Sequence, residues 1–213
     1  TLAPTIFDGA FGDESIRTAV RAWMEDRAAA EAAYGHISTW DTSGVTDMAY
    51  LFCSSSTFCS YYNSAAASFN EDIGAWDTSG VTEMHCMFCE AFAFDQDLGD
   101  WAVHRVTDMS WMFAEAPFNQ DIGGWAVHSV RDMAGMFNEA SAFDQDIGDW
   151  AVHSVTSMEQ MFQNAPAFNQ DIGDWAVHSV TDMGYMFQHA SAFDQDLGWC
   201  IDNGYERFSC YGC

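Results

Sequence analysis

An aspartate recurs at one position of a repeated sequence, where it is always followed by Ile-Gly or Leu-Gly. Clustered carboxylate oxygens are the ligands that Ca²⁺ prefers, so such a row could bind calcium. The structural alternative, which the sequence favours, is that each carboxylate accepts backbone N–H groups of its own turn. Carboxylates about 5 Å apart repel by about 0.8 kcal/mol in water, so one of these partners has to offset the repulsion. The row consists of Asp72, Asp97, Asp121, Asp146, Asp171 and Asp196.

A histidine row lies three residues after a recurring tryptophan. Stacked imidazoles can bind a transition metal or change their charge near neutral pH, which makes the row a candidate binding set. An outward-facing strand surface is the alternative that the sequence favours. The row consists of His104, His128, His153 and His178.

A few aromatic residues do not follow the repeat, and these are candidates for binding a partner. Trp111 and Tyr185 break the column to which they belong, and Tyr61 and Tyr62 lie in an insertion. Aromatic side chains often carry much of the energy of an interface, so the sequence predicts that a partner docks at one of these places.

Seven cysteines form one cluster near the start of the chain and another at its end. Such clusters resemble disulfide staples and predict an oxidising compartment, with one cysteine left over. Cys53 and Cys89 occupy the same position in successive repeats, which favours their pairing and that of Cys59 with Cys86. Zinc at His85-Cys86-x-x-Cys89 is the alternative, and its spacing is poor. The predicted disulfide cysteines are Cys53, Cys59, Cys86, Cys89, Cys200, Cys210 and Cys213.

An internal repeat has to position all of these residues. Trp125, Trp150 and Trp175 are 25 residues apart, and valine, methionine and phenylalanine columns keep the same period. The apolar spacing over 155–165 predicts one face of a short helix, and the alternation over 149–153 predicts a short strand. No single unit can bury its aromatic residues alone, so the units are predicted to stack into a solenoid.

The front end of this stack is predicted to be covered by helices. An apolar stripe with a helical period follows Asp13 and Ser15, either of which would suit an N-cap. A second, alanine-rich helix is predicted over about Asp26 to Tyr34, ending at Gly35. The stripe consists of Ile16, Ala19, Val20, Trp23 and Met24.

The repeat unit F-[ND]-Q-D-[IL]-G-x-W-x-x-x-x-V-T-x-M-x-x-M-F-x-x-A resembles the surface repeat of the BspA-like leucine-rich-repeat family. That family was first known from mycoplasma lipoproteins, and the cysteine-rich end resembles its algal branch. The resemblance covers 40–199. It implies an α/β, leucine-rich-repeat-like solenoid of about six strand-turn-short-helix repeats of 24–25 residues. The expected domains are a helical cap (1–39), the solenoid (40–199, with an insertion at 53–63) and a disulfide-tied, cysteine-rich C-terminal cap (200–213).

The composition limits the partners. The 213 residues include 32 acidic residues and only 6 basic ones, all arginine, which gives a net charge of −26. Nucleic acids and anionic membranes bind through lysine and arginine and are therefore excluded as partners. No apolar run approaches the roughly 20 residues that a membrane helix needs.

These observations predict a non-catalytic module at the cell surface or outside the cell. Nearly every histidine and aspartate is one of a set of near-copies, and no catalytic motif appears, so the chain is not expected to be an enzyme. The resemblance implies interaction with a protein or glycan, or adhesion. The alternative is a self-assembling structural subunit of a filament, wall or layer, with Ca²⁺ as the one cofactor considered.

Overall fold

The computed structural model describes residue 7, residues 9–57 and residues 59–199. The predicted C-terminal cap (200–213), with Cys200, Cys210 and Cys213, lies outside the described residues.

Two helices precede the repeats, as the sequence predicts. Helix α1 (Asp13–Glu25) buries its apolar stripe, and helix α2 (Arg27–Tyr34) follows at once and ends at Gly35, whose φ is 77°. The N-cap of α1 is Gly12 rather than either predicted residue. The Ser15 hydroxyl accepts the Gly12 N–H (2.9 Å), but Gly12 has no side chain with which to cap the helix in return.

The predicted α/β, leucine-rich-repeat-like solenoid is wrong in its elements. Among the described residues no strand occurs, only isolated parallel bridges between successive repeats. The segment 155–165, where a short helix was predicted, consists of turns and irregular chain with one isolated bridge, and the segment 149–153, where a strand was predicted, consists of irregular chain and turns. Beyond α1 and α2, the described residues hold only 3₁₀ helices, at Ile37–Thr39, Ser64–Ser68, Val127–Ser129 and Val177–Ser179.

The backbone explains why the apolar spacing was misleading. Gln160 and Asn164 have φ values of 56° and 54°, in the left-handed region, which neither a strand nor an α-helix can contain. Between them, N–H groups donate alternately within the repeat (Met161 N to Met158 O, 3.2 Å) and to the next repeat (Phe162 N to Met186 O, 2.9 Å). A chain of three-residue turns therefore produces the spacing of three that resembles a helix.

Repeats stack through aromatic columns and one recurring hydrogen bond. Phe88 and Phe113 lie parallel, with ring centroids 5.6 Å apart, and both side chains are fully buried. The Trp150 indole N–H donates to the Ile122 carbonyl of the preceding repeat (3.1 Å), so this polar atom is satisfied inside the core. The methionine column is likewise buried, which confirms that methionine forms core here.

A polar ladder links the repeats at the surface. The Asn119 side-chain oxygen accepts the backbone N–H of Asp144 (3.0 Å), and the Asp144 carboxylate accepts the N–H of Asn169 (2.9 Å). Asn and Asp can alternate here because both provide the acceptor oxygen that this position requires.

Candidate binding groove

One column of acidic residues follows the line where successive repeats meet. The residue before the first methionine of each repeat forms a parallel bridge with its equivalent in the next repeat. Equivalent positions in such pairings lie about 4.8 Å apart, so the carboxylates form a closely spaced row. We call this row the acidic column. It consists of Asp47, Glu83, Asp108, Asp132 and Asp182, with Ser157 interrupting between the last two.

Local turns fix the direction of these carboxylates. Oδ1 of Asp132 accepts the N–H of Ala134 (2.9 Å), and Oδ1 of Asp182 accepts the N–H of Gly184 (2.9 Å). Burial raises the pKa of the Asp132 carboxyl, although the Ala134 N–H opposes this shift. Burial, together with the nearby charge of Asp108, therefore makes the ionised form of Asp132 electrostatically unfavourable, and a bound cation would reduce this free-energy cost.

The first four carboxylates of the column line an open groove of about 510 Å³. Tyr50 and Trp111 supply its aromatic surface, and His85 and Ser110 lie between them. The absence of a side chain at Gly135 leaves room for the Trp111 indole, since a Cβ at this glycine would lie 2.5 Å from Cδ2 of the ring. The groove thus combines half-buried negative charge with two aromatic side chains.

His85 connects the groove to the cysteines beneath it. The Ser110 hydroxyl donates to Asp108 (2.5 Å), so it accepts from His85 Nδ1 (2.5 Å), because it has a single proton to donate. His85 Nε2 lies 3.4 Å from the Cys86 sulfur. The contact with Cys86 raises the pKa of His85, against the opposing effect of burial. Cys86 is only 1% exposed and does not line the groove.

The chain supplies its own example of a cation on the acidic column. Arg17 of α1 lies with one guanidinium nitrogen 2.9 Å from the Asp47 carboxylate. The guanidinium also donates to the Ala49 carbonyl (2.6 Å) and the Asp47 carbonyl (3.2 Å). The first rung of the column therefore already binds a guanidinium through its carboxylate and its turn carbonyls.

The predicted aspartate row lies elsewhere on the surface. All six side chains are exposed, and each accepts the N–H of the glycine two residues later, at 2.9 to 3.1 Å. This is the turn role that the sequence favoured. Within the described residues, no three of these carboxylates converge as a metal site would require. Calcium binding by Asp72, Asp97, Asp121, Asp146, Asp171 and Asp196 stays a prediction.

The other predicted binding residues are spread over the molecule. The side chains of the four predicted histidines are exposed, and none lies on a strand: His104 and His153 lie in turns, and His128 and His178 lie in 3₁₀ helices. Tyr185 is 62% exposed and lies outside the groove, and Tyr61 and Tyr62 are exposed in the insertion. Of the four aromatic candidates, only Trp111 lines the groove.

The cysteine pairing predicted from the sequence is wrong. Cys53 is bonded to Cys59, with their Cα atoms 6.4 Å apart, because the insertion folds back on its own start. Cys86 and Cys89 are buried and form no disulfide. The Cys89 thiol, as hydrogen-bond donor, lowers the pKa of Cys86, and the same contact together with burial raises the pKa of Cys89.

Sequence analysis missed the acidic column, although a signal was present. The residue before the first methionine is acidic in five of the six repeats, in the phrases T-D-M, T-E-M and R-D-M. The aspartate row is more regular, with an aspartate in all six repeats, and therefore gives the stronger signal in the sequence.

Two overlapping stretches, 23–137 and 97–200, match the family model described as "Mycoplasma protein of unknown function, DUF285". The chain belongs to this family. Membership supports the resemblance to surface repeats, while the narrower BspA-like and algal assignments go beyond what the match shows. No curated protein and no solved structure matches this DUF285 member significantly. Among its described residues, no helix is long and apolar enough to cross a membrane.

Proposed function

We propose that this chain is a non-catalytic surface module whose groove binds a positively charged segment of a partner protein. The observation that carries the proposal is Arg17, whose guanidinium is bound by the Asp47 carboxylate and by the carbonyls beside it. The same carboxylate position continues along the groove at Glu83, Asp108 and Asp132. An arginine or lysine of the partner would pair with these carboxylates as Arg17 pairs with Asp47.

Electrostatics support a basic partner in two ways. The net charge of −26 attracts cationic segments over long range and accelerates their encounter. Inside the groove, a cation about 5 Å from one carboxylate gains about 0.8 kcal/mol in water, and more where burial lowers the local dielectric constant. Several rungs act together on a segment with more than one positive charge.

The aromatic side chains support a protein partner rather than a simple ion. Tyr50 and Trp111 both line the groove. A guanidinium or ammonium group over an aromatic face gains about 0.5–1 kcal/mol at an exposed site, and a hydrated metal ion gains much less from such a face. The groove therefore offers both charge and an aromatic surface to an arginine side chain.

The test uses a short peptide with two arginines and its control in which citrulline, a neutral isostere, replaces arginine. Calorimetry at low salt should show binding of the arginine peptide only. Asp132→Asn keeps its turn acceptor and removes one groove charge. Asp182→Asn is the matched control: it also keeps its turn acceptor and removes one negative charge, but this charge lies outside the groove. The first substitution should weaken binding at least about fourfold, and the second should have little effect.

A matched aromatic pair separates contact from general charge. Trp111 and Tyr185 occupy the same column with φ values of 57° and 58°, and only Trp111 lines the groove. Trp111→Ala should weaken peptide binding by about two- to fivefold, from the cation–π contribution, whereas Tyr185→Ala should not. Equal effects of both substitutions, or of both aspartate substitutions, would mean that binding is diffuse and the proposal fails.

The finer assignments are part of the same proposal. An extracellular or surface location is supported by the family match and by the Cys53–Cys59 disulfide. A BspA-like interaction or adhesion role agrees with an open groove lined by carboxylates and aromatic side chains. Self-assembly without a bridging cation is disfavoured, because copies that each carry −26 repel one another.

A further inference from the structure

Four cysteines come together behind the groove. Cys53, Cys59, Cys86 and Cys89 pack in one buried cluster with Ala114, and none is more than 7% exposed. We call these four residues the cysteine cluster. Tyr50 and Trp111 pack against it from the groove side. The groove and the surface rows described above do not use these sulfur atoms.

The sulfur atoms lie close to one another, as a thiolate metal site requires. The Sγ atoms of Cys53, Cys59 and Cys89 all lie within 4.8 Å of one another. The Cys86 sulfur accepts a hydrogen bond from the Cys89 thiol and packs in the same cluster, so a fourth sulfur lies beside these three. In a zinc site with four thiolates, Zn–S distances of about 2.3 Å put the sulfurs about 3.8 Å apart. Once the disulfide is open, the sulfurs of Cys53 and Cys59 are free to move apart towards this spacing.

We propose that the cysteine cluster binds one Zn²⁺ when the Cys53–Cys59 disulfide is reduced. A thiol or phosphine reductant supplies two electrons, two protons are taken up, and the S–S bond becomes two thiols. Zn²⁺ then replaces the protons of all four thiols, which leave to solvent, and four Zn–S bonds form. In the reverse direction, a small-molecule disulfide accepts two electrons from the Cys53 and Cys59 thiolates and becomes two thiols. The Cys53–Cys59 bond re-forms, Zn²⁺ leaves to solvent, and Cys86 and Cys89 take up protons.

The surroundings suit a soft cation rather than Ca²⁺ or Mg²⁺. Thiolates select Zn²⁺ and similar ions, and the hard cations require oxygen ligands. Cys86-x-x-Cys89 has the spacing of one half-site in structural zinc centres; the spacing of the whole set is poor in the sequence because Cys53 and Cys59 are six residues apart, and the fold brings this second pair to the first. His85 Nε2 lies 3.4 Å from the Cys86 sulfur, so its ring packs beside this proposed ligand.

The experiment measures bound metal in the folded, full chain. Protein reduced with a phosphine, loaded with Zn²⁺ and desalted should carry one zinc per chain by elemental analysis. The same protein with the disulfide formed should carry none. Co²⁺ in place of Zn²⁺ should give the intense visible and sulfur charge-transfer bands of a tetrahedral tetrathiolate.

Matched variants locate the site. The double variant C86S/C89S should lose the metal, and the triple variant C200S/C210S/C213S should keep it. Near-ultraviolet circular dichroism shows whether each variant is folded, and the cobalt spectrum of the unaltered chain decides the question if C86S/C89S is not. A reduced, folded chain that binds no zinc, or zinc that follows the three C-terminal cysteines instead, would overturn the proposal.

Discussion

The substitution Gly135→Ala examines how the groove is built. The added Cβ would lie 2.5 to 2.7 Å from three atoms of the Trp111 indole, well inside contact distance, so the ring has to move. The φ of 59° adds a second cost, since a left-handed conformation costs a residue with a Cβ about 1–2 kcal/mol. The fold tolerates that conformation, because Gln160 occupies the equivalent position with φ 56°.

The two costs are separable by a double-mutant cycle in chemical denaturation. Alone, Gly135→Ala should lower the free energy of unfolding by the backbone cost of about 1–2 kcal/mol plus the cost of displacing the indole. In the Trp111→Ala background only the backbone cost should remain. The control Gln160→Gly relieves the same conformation without touching Trp111, and should raise stability by up to about 1 kcal/mol.

The same variant should also weaken peptide binding. If the displaced indole leaves the groove, Gly135→Ala should reduce the affinity for the arginine peptide about as much as Trp111→Ala does. An equal stability cost with and without Trp111, together with unchanged binding, would refute the described packing of the indole on Gly135.

Three further outcomes are expected. Trp150→Phe should lower the free energy of unfolding by about 1–3 kcal/mol, measured by urea denaturation, because the buried Ile122 carbonyl loses its donor; a change below about 0.5 kcal/mol would contradict this role. Affinity for the arginine peptide, measured by calorimetry, should fall as the pH falls from 8 to 5. Over this range His85 becomes positive below its raised pKa and so opposes a cation, and Asp132, whose pKa is also raised, loses its negative charge on further acidification; affinity that rises on acidification would be inconsistent with this site. The molar mass measured by light scattering should be the same in millimolar Ca²⁺ as in chelator, since the six carboxylates of the aspartate row each accept an N–H and do not converge. Large species that form only with Ca²⁺ would instead support the assembly alternative.

Sequence reasoning succeeded where local rules decide the structure. The stripe from Ile16 to Met24 predicted α1, and Gly35 marked the end of α2, because amphipathic period and a left-handed C-cap are properties of short segments. The buried methionine and phenylalanine columns followed from the repeat, since equivalent residues of stacked units have equivalent surroundings.

It failed where backbone conformation and contacts between repeats decide. The spacing of Val155, Met158 and Met161 fits a helix and a chain of three-residue turns equally well, and only the left-handed residues Gln160 and Asn164 separate the two. The groove was missed because Arg17 reaches Asp47 only after α1 docks on the first repeat, and Asp47 and Trp111 line one groove only after the units stack. The Cys53–Cys59 bond depended on how the insertion folds, which the repeat does not determine.

The central claim is that the groove binds a basic segment, and an NMR titration of the isotope-labelled chain with the arginine peptide tests it most directly. Backbone amide shifts should concentrate at Ala49, Ser110 and Ala134, which line the groove. They should be absent at Gly148 and Gly173, whose N–H groups are accepted by carboxylates of the aspartate row. The citrulline peptide should shift none of them. Shifts that spread evenly over the groove and the aspartate row, or that appear only in the aspartate row, would contradict the groove as the binding site.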